Sequence, residues 1–154
     1  MTRQPQKKQT GFIQNIGPWY LLRLRLFPHW LSNRVNFNIF IHLFLASDDP
    51  VVHDHPWPST SVLLWGKLRE NRQEVRWSAS KLEEWVTNPI PKFKRIRREA
   101  TYRHAIILES KWALTIFIPK KKERTWYFYP GGNPVHWQEY LNPLENVKDW
   151  PARD

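Results

Sequence analysis

The segment His53-Asp54-His55-Pro56-Trp57 is the place in this chain with residues and spacing suited to chemistry. Imidazoles at positions i and i+2 fall on one side of an extended strand, because side chains alternate with period two. Two nitrogen donors then converge on one point, as a metal ion requires. Asp54 points away from that side and reads as a turn or surface hydrogen-bond acceptor rather than a ligand. Pro56 removes a backbone donor and stiffens the exit, and Trp57 can roof a pocket. A third nitrogen, from elsewhere in the chain, would complete a site with open positions.

The elements that must position this pair read as short strands. Ser61 to Gly66 (SVLLWG) is an apolar run ended where a tight turn needs a residue tolerant of positive φ. Trp19 to Phe27 (WYLLRLRLF) alternates, with Tyr20, Leu22, Leu24 and Leu26 on the apolar face and Arg23 and Arg25 on the other. Pro28 stops that strand, and Ser32-Asn33-Arg34 suits a turn. Asn36 to Leu45 (NFNIFIHLFL) is apolar on both faces, so it is expected to be central. His42 lies within it, either as a core histidine with a hydrogen-bond partner or as support for the metal site. Ser47-Asp48-Asp49-Pro50 is a turn.

Lys67 to Trp77 is highly charged and suggests an exposed strand or hairpin; Glu70 could face the pocket or be an exposed charge. Ala79 to Trp85 suggests a helical turn or loop, and Asn88-Pro89-Ile90-Pro91 a break. His104 to Leu108, Lys111 to Ile118 and Thr125 to Tyr129 are further apolar or aromatic strands. Pro130-Gly131-Gly132-Asn133 is a turn, and the segment HWQEYL over 136–141 follows. Many short strands with turn signals and almost no helix predict an all-β sandwich or barrel.

With 154 residues, a single domain over 1–154 is expected, with a flexible basic arm over 1–12 and a tail over 142–154. The absence of cysteine excludes disulfides, thiol nucleophiles and cysteine–zinc sites. No apolar run approaches the roughly 18 residues of a spanning helix, and no signal-peptide pattern is present. A cytoplasmic protein without membrane contact is expected. Ten Trp in one domain can line a concave site as well as fill a core. Trp57, Tyr102, Trp126 and Tyr129 are the candidate walls, with core packing as the alternative for each.

The net charge of +10 permits an anionic partner. Residues 92–103 (KFKRIRREATYR) concentrate it, and Lys92, Lys94, Arg95, Arg97 and Arg98 could track phosphates of a nucleotide or nucleic acid. A solvated strand edge protected by charge is the simpler alternative.

The pattern resembles the cupins, a superfamily of double-stranded β-helix or jelly-roll barrels. Their first motif runs Gly, five residues, His-x-His, three or four residues, Glu, six residues, Gly. Here His53 and His55 match the pair and Gly66 the final glycine, while Ser59 stands in place of the Glu and Ser47 in place of the leading Gly. The later histidine of the family corresponds to His104, at the head of an apolar strand, although Glu99 and Thr101 replace its usual Pro and Gly neighbours. The stretch IHLFLASDDPVVHDHPW, with the later WYFY and HWQEYL, is similar to small cupin-like proteins of undefined function from bacteria and phages.

The resemblance implies a divalent metal held by His53, His55 and His104. With Ser59 replacing the Glu, the centre would look like the three-histidine sites of thiol dioxygenases, which usually hold Fe(II). Imidazole alone leaves Zn, Ni or Mn open, and an anionic substrate or hydroxide could balance the ion's charge. The implied function is a metal-dependent enzyme, a dioxygenase-like oxygenase acting on a small molecule. The alternatives are a non-catalytic binding module for a nucleotide or nucleic acid and a phage accessory or structural protein. Cupins commonly form homodimers, so a homodimer is an open expectation.

Overall fold

The computed structural model describes residues 13–16, 21–35, 38–76 and 82–141. The expected arm over 1–12 and tail over 142–154 lie outside the described residues, as do Trp19 and Tyr20. The strands are β1 (Ile13–Ile16), β2 (Leu21–Arg25), β3 (Phe40–Phe44), β4 (Ser59–Trp65), β5 (Leu68–Arg76), β6 (Leu82–Pro89), β7 (Arg95–Arg98), β8 (His104–Leu108), β9 (Ala113–Pro119), β10 (Tyr127–Phe128) and β11 (Val135–His136). Two short helices, α1 (His29–Val35) and α2 (Trp137–Leu141), and a 3-10 turn over Pro130–Gly132 complete the described elements.

The strands form a larger sheet in the order β1-β2-β3-β9-β4-β7, a smaller sheet in the order β6-β5-β8, and the hairpin β10-β11. His53 lies outside any strand, but its backbone bridges β8 at His104 and β10 at Phe128, so it ties the hairpin to the smaller sheet. Leu21, Phe44, Leu63 and Ala113 from the larger sheet meet Leu68 and Ile106 from the smaller one in the main core. As expected, β3 is interior to its sheet, and its Phe40, His42 and Phe44 are buried.

Several local expectations are corrected. In β2 the face that turns inward carries Arg23, which is 6% exposed, whereas Leu24 is 37% exposed. The reason is a partner inside: Arg23 Nε donates to His42 Nε2 at 3.0 Å, and its guanidinium carbon lies 4.8 Å from the centre of the Phe40 ring. The turn expected at Ser32-Asn33-Arg34 is part of α1. β2 ends at Arg25, before Pro28, and Pro28 starts this helix: its carbonyl accepts from the Leu31 and Ser32 amides. The helical turn or loop expected over Ala79–Trp85 is replaced, from Leu82 onward, by β6 paired to β5. HWQEYL divides between β11 and α2. Among the described residues, no helix is long and apolar enough to cross a membrane.

Candidate metal centre

Backbone hydrogen bonds fix the His53–His55 segment. His53 and His104 exchange both amide bonds at 3.0 Å, and the His55 amide donates to the Ala100 carbonyl at 3.0 Å. The Asp54 amide donates to Tyr127 O at 3.1 Å. Asp54 is fully buried, which corrects its expected place in a turn or at the surface. It accepts from the Tyr127 amide at 2.7 Å and the Tyr129 hydroxyl at 2.7 Å, and Arg124 Nη1 lies 2.9 Å from it. Alternation turns this carboxylate toward the C-terminal hairpin, so the two imidazoles share the opposite side.

His104 opens β8 and meets them there. Its Nε2 stands 2.7 Å from His55 Nε2, and one ring nitrogen from each of His53, His55 and His104 lies within 4.8 Å of the others. The remaining ring nitrogen of His104, Nδ1, lies 2.5 Å from Glu70 Oε1. Donation of the Nδ1 proton to that carboxylate leaves a lone pair on Nε2, the tautomer needed to ligate a metal. Burial pushes the His55 and His104 imidazoles below their ordinary value, His104 to about 4, so both are neutral donors near neutral pH.

Glu70 is buried, not the exposed charge that its strand suggested. Arg98 Nε donates to Glu70 Oε1 at 2.6 Å, Arg98 Nη1 to Ser61 Oγ at 2.6 Å, and the Tyr102 hydroxyl to Glu70 Oε2 at 3.1 Å. Burial alone would raise the Glu70 carboxyl; the hydrogen bond and charge of His104, together with Arg98, outweigh it and hold it at about 2. Arg98 is therefore a buried counter-ion, which corrects its place among the surface anion-binding residues. Lys92, Lys94, Arg95 and Arg97 are exposed.

The three histidines border a cavity of about 110 Å³ between the two sheets. Of the other residues singled out in the sequence, His42, Trp57, Ser59, Trp126 and Arg98 line it. Tyr102, Tyr129 and Glu70 do not; they stand behind it, bonded to Glu70, Asp54 and His104 respectively. His42 has the partner expected of a core histidine, Arg23, and stacks on Phe117 with ring centres 4.9 Å apart. Two lining residues escaped the sequence reading. The sequence pattern places Arg23 on the outer face of its strand and Asp48 in a turn. Asp48 Oδ2 lies 3.5 Å from His53 Nε2, and burial raises its carboxyl. The Asp-Asp-Pro turn just before the histidine pair was the available signal for Asp48.

The donor set suits a divalent ion. Imidazole nitrogens are borderline ligands, and three of them leave coordination positions open. His55 Nε2 and His104 Nε2 share a hydrogen bond here, and a cation bound between them would take the place of the shared proton. Nothing in this set selects iron over zinc, nickel or manganese.

No family model matches the chain, and no curated protein matches it. Among solved structures it is similar to an oxalate oxidase, with a TM-score of 0.53 and 13% identity over 90% of this chain and 72% of the other. A recombinant oxalate oxidase in complex with glycolate gives a TM-score of 0.52 and 13% identity over 83% and 67%. Hydroxypropylphosphonic acid epoxidase from S. wedmorenis in complex with fosfomycin gives 0.50 and 14% over 77% and 58%. The chain spans about half the length of other chains of this epoxidase that it matches (50%). At these identities the likeness concerns the fold, which is the all-β, cupin-type jelly-roll barrel.

Proposed function

We propose that this chain is a divalent-metal cupin that acts on a small anionic molecule, with oxygenase-type chemistry at His53, His55 and His104. The observation that carries the proposal is the doubly engaged His104, with Glu70 on one ring nitrogen and His55 facing the other. A bound divalent ion supplies a Lewis acid and, as Fe(II), a redox centre.

The chain's own residues account for the rest. Arg23 places a guanidinium group in the cavity lining, and Arg98, whose charge Glu70 offsets, adds N–H donors there. A carboxylate or phosphonate fits such a lining, and it would offset the charge that three neutral ligands leave on an ion. Glycolate and fosfomycin, the ligands of two structures with a similar fold, are small molecules of this kind. Trp57, Trp126 and Phe117 supply apolar walls that exclude water. Asp48, whose carboxyl is raised by burial, can hold or release a proton at Oδ2 beside His53.

The test loads metal-free protein separately with Fe(II), Zn, Ni and Mn. Each form is then titrated with glycolate and methylphosphonate by tryptophan fluorescence, and oxygen uptake is followed with the iron form. Anion binding that weakens in Arg23→Gln while metal content holds supports the proposal. No anion binding with any metal and no oxygen uptake with the iron form would overturn it.

A further inference from the structure

A second cluster lies outside the histidine cavity. Trp65, at the end of β4, is 59% exposed, Trp112 is 39% exposed and Phe93 is 74% exposed. Gly66 brings the first two together. Its φ is +85°, and a Cβ there would stand 2.4 Å from the Trp112 carbonyl oxygen, so only glycine permits the approach. The Trp65 and Trp112 rings stack with centres 6.1 Å apart and planes 15° from parallel.

Phe93 is tied through its backbone to β4, two residues before Trp65. Its amide donates to Leu63 O at 2.9 Å, and Lys92 forms a bridge with Leu63. Phe93 adopts φ of 58°, a left-handed conformation that a bulky residue rarely takes, and it does so with its ring in water. Backbone strain and an exposed aromatic ring are both unfavourable in the isolated chain, and a ligand covering the ring would offset them. Lys92 Nζ lies 5.5 Å from the centre of the Trp65 ring. Lys67, Lys94 and Lys111, neighbours in sequence of Gly66, Phe93 and Trp112, are exposed, as are Arg95 and Arg97 on β7. The acid of the β8–β9 turn, Glu109, is engaged by Arg69 at 2.6 Å.

We infer that this face binds single-stranded nucleic acid, with bases stacked on Trp65, Trp112 and Phe93 and phosphates met by Lys92 and Lys94. Unpaired bases offer flat π faces, and their backbone offers regularly spaced charge; aromatic rings interleaved with lysines match both. A duplex hides its base faces. A lipid surface fits less well, because sinking Trp65 among acyl chains would strip water from the Lys92 ammonium seated on its ring. This surface is independent of the histidine centre, so either assignment can fail alone.

The test is fluorescence anisotropy of a labelled oligothymidylate titrated with the full chain. Controls are a duplex of equal length and vesicles of phosphatidylcholine with phosphatidylserine. Binding to the single strand is expected, with affinity falling steeply as salt rises. Trp65→Ala should weaken it by about ten-fold or more, with metal content unchanged. Phe93→Gly relieves the backbone strain, so it should raise the thermal midpoint and still weaken binding, which a folding defect could not do. Unchanged affinity in both variants would overturn the inference. Vesicle binding without oligonucleotide binding would also overturn it, as would a dimer that buries Trp65.

Discussion

His104 lies 2.5 Å from Glu70 through Nδ1, and this contact decides which of its ring nitrogens is left to bind anything else. The pair forms because β5 and β8 are neighbours. Glu70 is registered with Ile106, two residues beyond His104, so the two side chains meet diagonally on the inner face. A carboxylate behind a ligating imidazole raises its basicity and fixes its orientation.

Glu70→Gln keeps the shape of this contact but removes the charge. Metal affinity should fall about 10- to 100-fold, measured by competition with a chromophoric chelator. Affinity equal to that of the unaltered chain would deny Glu70 its positioning role.

Glu70 also neutralises Arg98, a buried cation 6% exposed. Glu70→Ala leaves that guanidinium without its carboxylate and should cost about 3–5 kcal/mol in urea denaturation. The double variant Glu70→Leu, Arg98→Met removes both charges and should cost less than Glu70→Ala alone. A larger loss in the double variant would show that packing, not charge, dominates there.

Asp54 is the anchor between the histidine pair and the C-terminal hairpin, with contacts to Tyr127, Tyr129 and Arg124. Asp54→Ala should destabilise the protein by about 1–3 kcal/mol, because it leaves the Tyr129 hydroxyl and the Tyr127 amide without their acceptor. Thermal unfolding followed by near-ultraviolet circular dichroism reads this directly, since Trp126 packs against His53. A change within experimental scatter would place the anchor elsewhere.

Acid should destabilise the metal-free protein. His42, His55 and His104 have pKa values below the ordinary 6.5, chiefly through burial, with His104 at about 4. The unfolded chain takes up these protons near pH 6.5 while the folded chain refuses them, so stability is full above that value and falls as pH drops toward 4. Glu70, held at about 2, below the usual carboxylate range, extends the loss further down. Thermal midpoints should be level above about pH 7 and decline steadily to about pH 4.5; midpoints that rise over that interval would contradict the burial of neutral imidazoles.

Much of this architecture was legible in the residues. The His-x-His spacing, the apolar run to Gly66 and the two-faced strand around His42 announced a β-barrel and a converging pair of nitrogens. The inward charges were not legible. Glu70 and Arg98 sit in segments whose composition indicates solvent, and Arg23 sits on the polar side of an alternating strand; each is buried because its partner lies far along the chain: His104, Glu70 and His42. Alternation gives two faces to a strand but does not say which one turns inward when the partner of a charge comes from another strand. In β2 this reversed the faces, leaving Leu24 and Leu26 exposed. Asp54 escaped for the same reason, since its donors lie more than seventy residues away.

The most direct test is metal content. Protein purified without added metal, and again after exposure to Fe(II), Zn, Ni and Mn, is dialysed and analysed by mass spectrometry of the elements. About one tightly held divalent ion per chain is expected, lost in His53→Ala and in His104→Ala while circular dichroism still reports the β fold. An absence of bound metal under every loading condition, or retention of the ion in both variants, would contradict the three-histidine centre.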